Sequence, residues 1–266
     1  MTDNELTPEE KEMLEMLDAE TPSAPIQKPT KPPKAPAKKN DNAFSMWHWI
    51  QEMIGNNVAE IFGDTGSGKT KTCQQIAYEC TKEGKKVYYI DTEANFSKKD
   101  EETLKKVGVT YQLITNKDQL YGLDRQNIHD FDLVIIDSAT LVITGIWGKL
   151  NMNQRGALLQ QLQGLIFRLS QFCIEKKTCT VIITAQPISV MGDRNMIQPI
   201  GDKSMFMTKS IYYIRAPREG DTIRERHLVT FRDRSFPDGT LISDIKTKKF
   251  GADLDYKRMQ DLLKEL

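Results

Sequence analysis

The chain has 266 residues, and its 37 lysines and arginines cancel 37 aspartates and glutamates, so no global charge draws it to nucleic acid or an acidic membrane. The length suits one large domain or two small ones, yet a 39% hydrophobic share is low for a compact fold and predicts an unfolded portion. No apolar run approaches the roughly 18 residues of a membrane span, and the acidic start does not fit a secretory signal.

Residues 1–20 hold eight acids against Lys11. Thr7-Pro8-Glu9-Glu10 has the form of a helix start, with Thr as N-cap, Pro at the first position and Glu10 closing a capping box. Met13, Leu14 and Leu17 would share a face, giving either a short helix for a protein partner or a frayed tail. Residues 21–42 form a Pro/Lys-rich linker. Positions 21–40 alone carry six prolines and five lysines with no acid, a composition that cannot bury enough apolar surface to offset chain entropy. From 43 to 266 the composition is that of a folded core. Short β-branched runs alternate with helical stretches, which predicts an α/β fold with a mainly parallel sheet flanked by helices. The expected strands are 58–62, 87–91, 133–137, 180–184 and 211–215, and the expected helices 69–82 and 156–176. After 210 the pattern reads as an antiparallel extension, with strands at 228–232 and 241–246, a turn at Pro237-Asp238-Gly239 and a final helix over 254–266. Cys73, Cys80, Cys173 and Cys179 form no CxxC pair, which argues for buried, inert thiols in a reducing, cytoplasmic setting rather than a disulfide or zinc scaffold.

Gly63-Asp64-Thr65-Gly66-Ser67-Gly68-Lys69-Thr70 matches GxxxxGK[ST] between an expected strand and an expected helix, the context that phosphate binding requires. The glycines let successive N–H groups turn inward on the phosphates. Lys69 can reach the β- and γ-phosphates of ATP, and the Thr70 hydroxyl can take a place on Mg²⁺. Leu133-Val134-Ile135-Ile136-Asp137 is four apolar residues and an acid, which puts Asp137 at the carboxyl edge of the sheet as a second holder of Mg²⁺. Two further strand ends supply Glu93, suited to orienting an attacking water, and Gln186, suited to touching the γ-phosphate. Each also has a plain structural alternative, a helix N-terminal acid for Glu93 and a loop-capping amide for Gln186.

The runs IFGDTGSGKT, KKVYYIDTE, LVIIDS, RGALLQQLQGLIFRLS and VIITAQP, in that order and spacing over roughly 45–250, resemble the RecA-type recombinases, in style the archaeal RadA and RadB branch. The resemblance implies a RecA-like P-loop core that hydrolyses ATP with Mg²⁺, binds single-stranded DNA and forms a homo-oligomer in recombination and repair. It makes Glu93 the catalytic carboxylate and Gln186 the sensor opening a second DNA loop. It also makes 139–155 the first DNA loop, with Arg155-Gly156 before the long helix, and 187–208 the second, with Arg194 and Lys203 as phosphate contacts. A ring-forming relative, helicase-like or clock-protein-like, and a weakly hydrolysing recombination mediator are the alternatives.

Several positions depart from the family pattern. No helix-hairpin-helix unit is expected ahead of the core. Phe44-Ser45-Met46-Trp47 puts Trp where the polymerisation motif has Ala, so Phe44 either plugs into a neighbour or packs with Trp47 and Trp49 on its own core. A gapless match from Arg226 puts Arg232 at the position of the acid that caps a neighbour's ATP, with Asp233 beside it. Ile245–Phe250 reads as a strand with Lys246 and Lys248 on one face. In RecA and ring-forming relatives a paired basic motif there reaches the neighbour's γ-phosphate, and the resemblance gives that role to Lys246 and Lys248, with Arg232 as a further candidate; the competing reading is a solvated, lysine-studded edge strand.

Overall fold

The computed structural model describes residues 44–266 apart from 124, 141–148, 191–192, 199–207 and 216–224, and gives only the backbone of 125, 188–190, 193–198 and 225. The expected tail and linker lie outside the described residues. In chain order the elements are α1 (Met46–Met53), β1 (Val58–Phe62), α2 (Lys69–Lys82), β2 (Val87–Asp91), α3 (Lys98–Val107), β3 (Thr110–Leu113), α4 (Lys117–Tyr121), α5 (Arg125–Ile128) and β4 (Leu133–Asp137). There follow α6 (Met152–Lys176), β5 (Thr180–Ala185), β6 (Ile188–Val190), β7 (Asp193–Gln198), β8 (Thr208–Arg215), β9 (Glu225–Arg232), β10 (Leu241–Thr247), β11 (Ala252–Leu254) and α7 (Tyr256–Leu263).

Among the described residues nine strands form one sheet in the order β11-β10-β9-β8-β1-β5-β4-β2-β3, while β6 and β7 pair as a separate antiparallel hairpin. The stretch from β8 to β3 is parallel, and β9 to β11 continue it antiparallel. Every residue of β1, β2, β4 and β5 is buried, as parallel strands covered on both faces must be. Alternation sorts their side chains into two cores. Ala59, Ile61, Tyr89, Ile135 and Ile182 meet α1, α2, α3 and α7 through Trp49, Ile76, Leu104 and Met259. Val58, Phe62, Ile90, Val134 and Val181 meet α4, α5 and α6 through Leu120, Ile128 and Leu165.

Several boundaries differ from expectation. Helix α6 starts at Met152 rather than 156, because Asn151 and Gln154 form a capping box in which the Asn151 side chain accepts from the Gln154 N–H. Strands β8 and β9 begin three residues earlier than read, at Thr208 and Glu225, and the hairpin β6–β7 occupies part of what was expected as loop. The final helix starts at Tyr256 behind the Asp255 cap and ends at Leu263, because 252–254 is taken by β11. The strand expected over 245–250 stops at Thr247. The chain then turns through Gly251 at φ 65°, with the Lys248 N–H bonded to the Gly251 carbonyl at 3.1 Å.

Candidate functional site: a phosphate loop at the carboxyl edge of the sheet

The loop 63–68 leaves β1 and opens α2. Gly66 and Gly68 have φ of 77° and 102°, the left-handed region that other residues rarely adopt. Gly63 is required by space: a Cβ there would stand 2.8 Å from both the Ile214 carbonyl oxygen and Ser67 Oγ. Ser67 Oγ is itself buried without a hydrogen-bond partner, a polar atom left over inside the loop. Lys69, 8% exposed, donates to the carbonyls of Gly63 at 2.6 Å and Asp64 at 3.0 Å. Burial lowers its pKa from the ordinary lysine value, against the opposing pull of Asp137, Glu93 and Asp64. A loop turned by two left-handed glycines, with an orphan hydroxyl and a cation parked on its own carbonyls, fits a polyphosphate. Thr70 is the second residue of α2 and half-buried.

Asp137 ends β4 and is buried. Its Oδ1 accepts from Thr184 Oγ1 at 2.6 Å and its Oδ2 from the Tyr89 hydroxyl at 2.7 Å. A hydroxyl and a carboxylate are the hard oxygen donors that Mg²⁺ selects, so Thr70 and Asp137 fit that ion. Thr92 lashes the neighbouring strand ends together: its Oγ1 donates to the Ser138 carbonyl at 2.6 Å and accepts from the Ser138 N–H at 2.9 Å. Glu93 follows, half-buried, its N–H bonded to Asp91 Oδ1 at 2.8 Å and its carboxylate accepting from the Asn95 amide. Asp91 also accepts from the Tyr111 hydroxyl, and burial raises its pKa above the usual carboxylate range. Gln186, just past β5, donates its N–H to Thr140 Oγ1 at 3.3 Å.

No family model matches the chain. The DNA repair and recombination protein RadB of Methanococcoides burtonii is 26% identical over 209 residues, 72% of this chain and 88% of that protein. Protein RecA of Malacoplasma penetrans is 28% identical over 164 residues, 57% of this chain and 48% of its own length. The crystal structure of the RadB recombinase superposes with a TM-score of 0.55 at 22% identity, covering 75% of this chain and 91% of that one. The chain is a relative of the RecA-type recombinase superfamily.

In this RecA-type core, Lys69, Thr70, Glu93, Asp137 and Gln186 all stand on or just beyond the carboxyl ends of adjoining strands β1, β2, β4 and β5. The other expected residues fare differently. Arg155 and Gly156 lie inside the first turns of α6 rather than in a loop ahead of it, because of the Asn151–Gln154 box. Arg194 is on β7, with only its backbone described, and Lys203 lies outside the described residues. Arg232 ends β9 with its side chain exposed, whereas Asp233 accepts from the Tyr212 hydroxyl at 3.0 Å. Lys246 and Lys248 are both exposed, and Lys248 pairs with Asp253. The edge-strand reading for them is overturned, since β11 pairs with Ile245, Lys246 and Thr247 and is itself the edge. Phe44 packs on its own core, stacked on Tyr256 at 4.8 Å, with Trp49 buried and Lys85 over the Trp47 ring. Tyr89 and Thr184 went unnoticed in the sequence, where a tyrosine and a threonine inside buried strands look like packing.

Proposed function

We propose that residues 43–266 are a Mg²⁺-dependent ATPase core that binds single-stranded DNA, assembles with further copies of itself and serves recombination or repair inside the reducing cell, with 21–42 as its linker and 1–20 as an acidic tail. The observation that carries this reading is the phosphate loop set beside Asp137 at one sheet edge, on a chain similar to proteins named RadB and RecA. The loop amides and Lys69 would hold the β- and γ-phosphates, the lysine exchanging the Gly63 and Asp64 carbonyls for phosphate oxygens. Thr70 and Asp137 would hold Mg²⁺, which neutralises charge developing between those phosphates. Glu93 orients the attacking water. Gln186 contacts the γ-phosphate and passes its presence to the segment after β5. Arg155 with Gly156 at the head of α6, Arg194 on β7 and Lys203 form the DNA contact. Four free, buried cysteines suit a reducing compartment.

ATP turnover measured with and without single-stranded DNA tests the proposal. DNA-stimulated turnover is expected, abolished in Lys69→Ala and lost with nucleotide binding kept in Glu93→Gln. Parent-rate turnover in Glu93→Gln would remove Glu93 from its role, and turnover indifferent to DNA would remove the DNA-dependent reading.

A further inference from the structure

Asp137 is held from both sides by hydroxyl donors. Strand β4 lies between β5 and β2, and each neighbour sends one side chain to a different oxygen of the same carboxylate. The register pairs Asp91 of β2 with Asp137, so Tyr89 stands two residues earlier on the same face. On the other side Ile183 pairs with Ile136, bringing Thr184 level with Asp137. Tyr89 and Thr184 are fully buried, at 0% exposure, and each spends its hydroxyl proton on Asp137 at 2.7 and 2.6 Å. A carboxylate oxygen has two acceptor sites, so this arrangement fills one on each oxygen and leaves one on each for a metal-bound water. Rotation of the carboxyl group would break both bonds at a side chain only 2% exposed, where bulk water is a poor substitute for a lost bond.

We propose that Tyr89 and Thr184 are positioning residues that fix the carboxylate of Asp137 for Mg²⁺, so that the metal dependence of nucleotide binding is set by two hydroxyls from the flanking strands. This rests on the nucleotide-binding reading above. Groups that orient a metal-holding side chain, when removed, typically cost 10–100-fold in metal affinity. Thr184 also lies two residues before Gln186, so the strand that steadies the metal-holding carboxylate is the one that carries the γ-phosphate amide.

The test is titration of Mg²⁺ into full-length protein with a fluorescent ADP analogue, reading analogue affinity at each concentration and in chelator. Tyr89→Phe and Thr184→Val are each expected to raise the Mg²⁺ concentration for half-maximal tightening about 10-fold. Affinity in chelator should stay that of the parent. Thr184→Ser, which keeps the hydroxyl, should return the half-maximal concentration to the parent value, and thermal melting identifies any variant that fails to fold. An unchanged Mg²⁺ requirement in both hydroxyl-free variants overturns the proposal. So does an equal loss of affinity with and without Mg²⁺, which would mean that the phosphate cradle, rather than the metal, was disturbed. A parent protein that binds the analogue with no Mg²⁺ dependence removes the parent reading, and this proposal with it.

Discussion

Lys69 occupies an environment that works against its charge. Burial lowers its pKa, and the two carbonyls it touches carry only partial charge. A bound polyphosphate, fully charged and at contact distance, would raise that pKa again. The sign follows by linkage: the bound state holds a proton more firmly than the free state, so affinity is lost as pH climbs from the free towards the bound pKa of the lysine. Nucleotide affinity should therefore fall on the alkaline side, with proton uptake on binding. Calorimetry in two alkaline buffers of different ionisation enthalpy measures that uptake directly, and a buffer-independent heat would contradict it. At this scale the sequence was most readable where chemistry is local. The loop Gly63–Thr70 announces itself by residue type and spacing alone. The clamp on Asp137 does not, because Tyr89 and Thr184 come from strands whose adjacency to β4 is decided by the sheet order.

The same contrast holds among elements. Strands β1, β2 and β4 were legible to the residue, since a short run of aliphatic and aromatic residues, interrupted only by Glu60 in β1 and closed by a loop glycine or an acid, has few other solutions. Helix α3 was missed because KKDEETLKKV buries only Leu104 and Asp100 and shows no apolar stripe; its Ser97–Asp100 capping box and the left-handed Gly108 were the signals available. Strand β3 is a four-residue edge whose pattern is too short to read. Helix α1 depends on a distant partner. Glu83, just beyond α2, accepts from the N–H of Met46 at 2.7 Å and of Trp47 at 3.3 Å, and from Ser45 Oγ at 2.5 Å. A carboxylate at a helix start satisfies free donors and complements the dipole. Glu83→Ala should destabilise the core by roughly 1–2 kcal/mol, as lost helix caps do, with little effect on nucleotide affinity. Chemical denaturation checks the first part, and a nucleotide affinity that falls in step would tie α1 to the site.

For the whole molecule, zero net charge requires that DNA affinity come from local cations, so binding should weaken with salt at a log–log slope of roughly −0.7 per phosphate neutralised on a single strand. Filter binding across a salt series reads the slope, and a flat line would deny a phosphate-based contact. Assembly bears on Lys246 and Lys248. If they serve a neighbour's γ-phosphate, turnover per subunit should rise with protein concentration and collapse in Lys246→Ala/Lys248→Ala while nucleotide still binds. A rate that ignores both concentration and the double substitution leaves them as surface lysines.

The place of β1 in the sheet sets a timetable. This strand carries the phosphate loop, yet its two partners are β5 and β8, which come more than a hundred residues later in the chain. Pairings so distant in sequence are slow to form and wait on synthesis. Strand β2 has both its partners once β3 and β4 have been made, within about fifty residues, whereas β1 stays without its ladder until residues 180–185 and 208–213 have been added. The motif that is first to be recognised in the sequence is thus among the last to take shape, and the capacity to bind nucleotide would serve as a late marker of completed folding.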